Sequence, residues 1–154
     1  MPKCLDRLQN IISHLRNPKH GCPWDIQQTF KSIVPFTIEE AYEVADAIEK
    51  GDHEALRDEL GDLLFQVVFH ARLAEEAGYF NFDAVVCGIC EKMIRRHPHV
   101  FGSEKLSSVD VQISQWEKQK VLERSFRGAE KGHKVSALDD IPIALPALTL
   151  ADKI

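Results

Sequence analysis

Four carboxylates, spaced in two pairs, are the residues of this chain best suited to carry chemistry. Glu40 and Glu43 stand three positions apart, and so do Glu59 and Asp62. Residues three apart are neighbours on a helix surface, so each pair can point at one site. Carboxylates brought together repel unless a cation lies between them, and oxygen ligands suit Mg2+ or Mn2+ rather than Zn2+. The spacing is equally compatible with a metal site and with a solvated acidic face.

Two helical segments, at residues 36–50 and 53–77, must position these acids. They are joined by Gly51-Asp52, where Asp52 suits the N-cap of the second helix and Gly78 suits its end. The apolar stripe predicted for the second segment consists of Leu56, Leu60, Leu63, Val67 and Ala71. A strip that flanks this stripe holds Glu59, Asp62 and Gln66. If the two segments pack as an antiparallel hairpin, all four carboxylates converge.

The rest of the chain also has helical spacing and no strand alternation, which predicts an all-α fold. Further helices are predicted at residues 4–16, 81–96 and 108–126. A short helix within residues 25–33 is predicted to be interrupted before Pro35, and a loop is predicted at residues 99–107.

Composition narrows the class of protein. The 154 residues, 44% of them apolar, are enough for one domain with a core, and the formal charge of −5 argues against general nucleic-acid binding. No signal peptide or membrane span is recognisable, which predicts a cytoplasmic location and no membrane partner. Cys87 and Cys90 have C-x-x-C spacing, which is compatible with a zinc or redox site. The surrounding segment has helical spacing and no second C-x-x-C motif exists, which favours free thiols, as for Cys4 and Cys22.

Two pairs of residues, each four apart, could meet a nucleotide. Lys92 and Arg96 share a helical face; they are either favourable cations near a helix C-terminus or groups that bind phosphate. Trp116 and Lys120 stand four apart on the next long helix. Packing is the default interpretation of Trp116, and an aromatic ring beside a lysine is also suited to a nucleotide.

Taken together, these motifs resemble the MazG family of nucleoside triphosphate pyrophosphohydrolases. The resemblance extends over nearly the whole chain. It rests on GCPWD at 21–25, EEAYEVADAIEKGD at 39–52, RDELGDLLFQVVFHA at 57–71, RRHPHVFG at 95–102, WEKQK at 116–120 and SALDDIPIALPAL at 136–148.

The resemblance implies a helical bundle of the all-α NTP pyrophosphatase type, completed by dimerisation or by a higher homo-oligomer. It implies Mg2+-dependent hydrolysis of a (deoxy)nucleoside triphosphate to the monophosphate and pyrophosphate. The implied metal ligands are Glu40, Glu43, Glu59 and Asp62. The implied substrate-binding residues are Lys92, Arg96, Trp116, Lys120 and Asp58, and Glu39 is the candidate to orient or deprotonate water.

Many members of this family carry two tandem domains, and this chain resembles the first. Residues 1–126 are therefore predicted to form the pyrophosphohydrolase domain, and residues 127–154 a linker and helical extension truncated before a second domain. The alternative function is a catalytically weak or inactive half that dimerises or regulates. A di-iron bundle is disfavoured because neither carboxylate pair is a Glu-x-x-His motif.

Overall fold

The computed structural model describes residues 4–103 and 108–130, with the backbone alone at positions 109, 110, 115 and 124–130. Within this part the chain is helical and contains no strand, which confirms the all-α prediction. The helices are α1 (Cys4–Leu15), α2 (Pro23–Gln27), α3 (Phe30–Lys50), α4 (His53–Glu76), α5 (Phe82–Arg96), α6 (Pro98–Phe101) and α7 (Val109–Glu130). None of these described helices is long and apolar enough to cross a membrane. The extension predicted at the C-terminus lies, from residue 131 onwards, outside the described residues.

Helix α3 begins earlier than the sequence predicts. Thr29 and Ser32 form a capping box, in which each side chain meets the other residue's backbone N–H. This cap starts the helix at Phe30, so Pro35 lies inside it and the predicted interruption is wrong. Pro35 removes the bond that a backbone N–H would make to the carbonyl of residue 31. Lys31 is exposed, so its carbonyl can bind water instead.

A tight turn joins α3 to α4 and makes them antiparallel neighbours. Gly51 ends α3 with φ of 67°, a left-handed conformation that glycine adopts without steric cost. Asp52 then caps α4, since its side chain accepts hydrogen bonds from the backbone N–H groups of Glu54 and Ala55 at 3.1 and 3.0 Å. The antiparallel hairpin on which convergence of the carboxylates depends is therefore present.

The core of the first compact unit, residues 4–91, lies along the C-terminal half of α4. It is one cluster of buried side chains, namely Ile12, Ile33, Val68, Phe69, Ala71, Leu73 and Phe82. The predicted apolar stripe of α4 is only partly correct. Ala71 is buried, but Leu60 and Val67 are 49% and 39% exposed. Helical spacing reveals an apolar stripe without indicating which half of it meets a neighbouring element.

Arg16 ties the end of α1 to two other elements of this unit. Its guanidinium pairs with Glu76 of α4 at 2.6 Å and lies 5.3 Å from the centre of the Phe69 ring. It also donates to the backbone carbonyls of Asp25 and Gln28, at the end of α2. The arginine side chain is 8% exposed, so its charge is matched inside the structure.

The second unit, from Lys92 onwards, is organised around the end of α5. Trp116 Nε1 and Gln119 Nε2 of α7 donate to the backbone carbonyls of Arg96 and Arg95 at 3.1 and 2.9 Å. These carbonyls belong to the last turn of a helix, where no intrahelical donor is available. Residues 99–101, predicted as part of a loop, instead belong to the short helix α6 (Pro98–Phe101). Pro98 explains the difference because proline is favoured at the first position of a new helix.

Candidate active site

The α3–α4 hairpin brings three of the four predicted acids together. Glu40 and Glu43 lie one turn apart on α3, and Glu59 faces them from α4. One carboxylate oxygen from each lies within 4.8 Å of the others. Asp62 is not a member of this group of three, but its charge is the strongest electrostatic influence on Glu40. We call these four residues the acidic cluster.

Burial and neighbouring negative charges raise the pKa of two members of the acidic cluster. Burial, and then the charges of Asp62 and Glu43, raise the pKa of Glu40 above its ordinary value. Burial, and then the charges of Glu43 and Asp62, likewise raise the pKa of Glu59. Within the described residues, no lysine or arginine forms an ion pair with any member of the cluster.

Other acids on the same hairpin, unlike those of the cluster, do form ion pairs. Asp46 forms an ion pair with Lys50, and Asp58 forms one with Arg57 at 3.0 Å. The local cations therefore neutralise acids outside the cluster. A divalent cation fits the remaining charge, because three converging carboxylates offer only oxygen ligands, as Mg2+ prefers.

Beyond the cluster, a second set of contacts joins α3 to the C-terminal half of α4. Thr37 Oγ1 and His70 Nε2 are 3.1 Å apart, and the imidazole stacks on Phe30 with a centroid distance of 6.1 Å. Burial lowers the pKa of His70, which favours the neutral ring. Between these contacts and the cluster lies Gln66, which is 7% exposed. Sequence analysis placed Gln66 on the acidic strip but assigned it no role, and its burial was not predictable from spacing.

The remaining predicted site residues lie outside the acidic cluster, and most of them already have a partner. Glu39 is exposed beside Glu40, and Asp58 is held by Arg57. In the second unit Lys92 is half-buried. Arg96 forms a 2.6 Å ion pair with Glu123, and Lys120 forms one of the same length with Glu117. The indole N–H of Trp116 binds the Arg96 carbonyl.

The arginines at the end of α5 give Glu123 an unusually strong partner. The carboxylate accepts hydrogen bonds from Arg96 and from Arg95. The Arg96 bond, followed by the Arg95 bond, lowers the pKa of Glu123 to about 2. Sequence reasoning missed this contact because the partners are 27 and 28 residues apart.

The cysteines remain unpaired, and Cys4, Cys87 and Cys90 are exposed. Among the described residues, only the acidic cluster brings three or more histidine, cysteine or acidic side chains close enough to share an ion. The zinc alternative for Cys87 and Cys90 therefore has no set of three ligands in this part of the chain.

A cleft of about 260 Å³ opens between α1, α4 and the start of α5. Its polar lining includes Asn10, Arg72, Glu75 and Asn81. Arg72 supplies the only cation among the lining residues, and it already pairs with Glu75 and Glu76. The cleft therefore offers no uncompensated positive charge for a triphosphate.

Comparison with known proteins shows which proteins this chain resembles. Residues 28–101 match the MazG nucleotide pyrophosphohydrolase domain. The nucleoside triphosphate pyrophosphohydrolase of Escherichia coli K12 is 51% identical over 150 residues, which are 97% of this chain and 55% of the relative. The nucleoside triphosphate pyrophosphohydrolase/pyrophosphatase MazG of Thermotoga maritima is 41% identical over 97% of this chain and 54% of its own length. The chain thus spans about half the length of these relatives.

A solved structure has a similar fold. The mazG-related protein of Thermotoga maritima aligns with a TM-score of 0.62 and 28% identity, over 75% of this chain and 98% of that protein. Its alignment covers a larger share of this chain than the family match at residues 28–101 does. The hairpin with its acidic cluster falls inside the family match, and the chain therefore contains a MazG nucleotide pyrophosphohydrolase domain at residues 28–101.

Proposed function

We propose that this chain hydrolyses (deoxy)nucleoside triphosphates to the monophosphate and pyrophosphate, using Mg2+ held by the acidic cluster. The observation that carries this proposal is the convergence of Glu40, Glu43 and Glu59 within 4.8 Å without a protein cation among the described residues. Mn2+ is the alternative ion, because it also takes oxygen ligands. The names of the Escherichia coli and Thermotoga maritima relatives support the reaction class.

In the proposed reaction, a water oxygen bonds to the α-phosphorus. The bond from this phosphorus to the bridging oxygen breaks, and pyrophosphate leaves with the bonding electrons. An ion held by the acidic cluster would neutralise phosphate charge and stabilise the charge that develops on the leaving group. Glu39, which is exposed beside Glu40, is our candidate to orient the water and accept its proton.

The phosphate contacts that the family implies are assigned to Lys92, Arg96 and Lys120. A triphosphate would have to replace carboxylate partners, because Arg96 holds Glu123 and Lys120 holds Glu117. Phosphate is a strong bidentate partner for arginine, so this exchange is chemically reasonable. The same ion pairs favour the second candidate function, a weakly active or regulatory half, because engaged cations bind substrate less readily.

A homodimer or higher homo-oligomer is part of this proposal. The α3–α4 hairpin exposes large apolar side chains, which are Ile38, Tyr42, Leu60, Leu64 and Val67. Exposed apolar surface of this kind is typical of protein interfaces. Measurement of the mass in solution by light scattering tests the proposal, and a monomer at all concentrations would contradict it. The cytoplasmic location expected from the sequence stays a prediction.

The test of catalysis is pyrophosphate release by this 154-residue chain from a panel of (d)NTPs, with Mg2+ or with chelator. Release that requires Mg2+ would support the enzyme and reveal its preferred base and sugar. Glu59→Gln and Asp62→Asn should abolish turnover while circular dichroism shows intact helices. The matched control is Glu49→Gln, since Glu49 is exposed on α3 and lies half a turn round from Glu40.

Two outcomes would count against the enzyme. Normal turnover by either cluster variant would remove the metal-site assignment. Absence of release from a wild-type chain that is folded would instead support the regulatory half.

A further inference from the structure

Gln66 carries a polar atom whose burial the fold does not explain. The residue is 7% exposed, and its Oε1 has no hydrogen-bond partner among the residues that the structure describes. A buried acceptor without a donor destabilises a folded protein, and an apolar residue of similar shape avoids this penalty. Native proteins keep such groups mainly where function requires them.

The position of Gln66 is set by contacts on either side of it. Gln66 is seven residues after Glu59 and four before His70, so all three lie on one face of α4. Across from this face, α3 provides Glu40 beside Glu59 and Thr37 beside His70. Gln66 therefore lies on the side of α4 that meets α3, one turn along from Asp62 and two turns along from Glu59.

The chemistry of the missing partner is also restricted. An amide oxygen accepts hydrogen bonds and does not donate them. The neighbouring carboxylates, when ionised, have no proton to give, and neither do the ionised oxygens of a triphosphate. A hydrated divalent cation does supply O–H donors, because Mg2+ keeps several waters when it binds to a protein.

We propose that Gln66 is a positioning residue, whose Oε1 accepts a hydrogen bond from the hydration shell of the divalent cation at the acidic cluster. This inference rests on the proposed function, because it needs the metal site, but it assigns a role to a residue outside the ligand set. Gln66 would then orient the hydrated ion between Glu40 and Glu59. The hydration shell would supply the donor that the described residues do not give to its buried acceptor.

The test is Mn2+ binding to the 154-residue chain, followed by electron paramagnetic resonance, together with thermal unfolding in EDTA. Gln66→Met removes the acceptor while keeping an unbranched side chain, and Gln66→Leu removes it with a different shape. We expect Mn2+ affinity to fall about 10- to 100-fold, as for other groups that support metal ligands. The metal-free melting temperature should rise by about 2–4 °C.

The opposite signs of these two effects separate a positioning role from a structural one. A residue that only supports packing would lower stability and metal affinity together. Gln9→Met is the matched control, because Gln9 lies half-buried on α1 and should leave Mn2+ affinity unchanged.

Three results would overturn the inference. Unchanged Mn2+ affinity in both Gln66 variants would do so while leaving the metal site intact, and so would a lower metal-free melting temperature in both. If the wild-type chain itself bound no Mn2+, the proposed metal site and the role of Gln66 would fail together.

Discussion

Substitution of Glu40 by glutamine should stabilise the metal-free protein while it impairs metal binding. Oxygens of Glu40 and Glu43 lie within 4.8 Å. At that separation, two unit charges repel by about 0.9 kcal/mol even at the dielectric constant of water, and by more at a lower one. Asp62 and Glu59 add to the repulsion on Glu40. Removing its charge should therefore raise the free energy of unfolding by about 1 kcal/mol, or the melting temperature by about 2–4 °C.

The pH dependence has a definite sign. The pKa of Glu40 is raised in the folded chain above its ordinary value of 4.5, through burial and then the charge of Asp62. A raised carboxyl pKa favours folding while the group is protonated, and this contribution is lost as the pH rises through the raised pKa. In EDTA, the advantage of Glu40→Gln should therefore be absent below pH 4.5 and fully developed at neutral pH.

Differential scanning calorimetry across this pH range, with EDTA or with Mg2+, measures both effects. Mg2+ should raise the melting temperature of the wild type and have little effect on Glu40→Gln, since only a bound ion stabilises the folded state. Equal melting temperatures in EDTA at neutral pH would refute the repulsion argument. An equal Mg2+-dependent rise in both proteins would refute the assignment of Glu40 as a ligand.

Three further predictions concern other parts of the chain. Carboxyl NMR should find Glu123 titrating near pH 2, and a value near 4.5 would show that its arginine contacts are not maintained in solution. Arg16→Met should lower the free energy of unfolding by about 1.5–3 kcal/mol, because charged hydrogen bonds are lost. Arg57→Met, which breaks an exposed ion pair, should change it by less than about 1 kcal/mol. Equal effects in denaturant titrations would contradict the anchoring role of Arg16. Gly51→Ala should lower the free energy of unfolding by about 1 kcal/mol, because φ is 67° there. Gly61→Ala should raise it by about 0.4–1 kcal/mol, because Gly61 lies inside α4 with open space around it. If the same denaturant titrations found Gly51→Ala to be the more stable variant, this reasoning would be wrong.

Local rules account for the parts of this structure that were predicted correctly. Asp52 caps α4 and Gly51 ends α3 through backbone conformations and hydrogen bonds that reach only a few residues along the chain. The wrong prediction at Pro35 also has a local cause, because two local signals compete there. A proline is a strong local signal, but the capping box at Thr29 is another, and it starts the helix before the proline is reached.

The sequence by itself determined the all-α class, the break at Gly51-Asp52 and the placement of two carboxylate pairs on the flanking helices, because periodicity and capping act within a few turns. Tertiary structure decided which of those groups meet. It brought three glutamates together with Asp62 beside them, and it paired Arg95 and Arg96 with Glu123. It also buried Gln66 without a described partner for Oε1. Which side chains contact one another depends on how helices from distant parts of the chain pack together. The spacing of residues along one helix does not encode this packing.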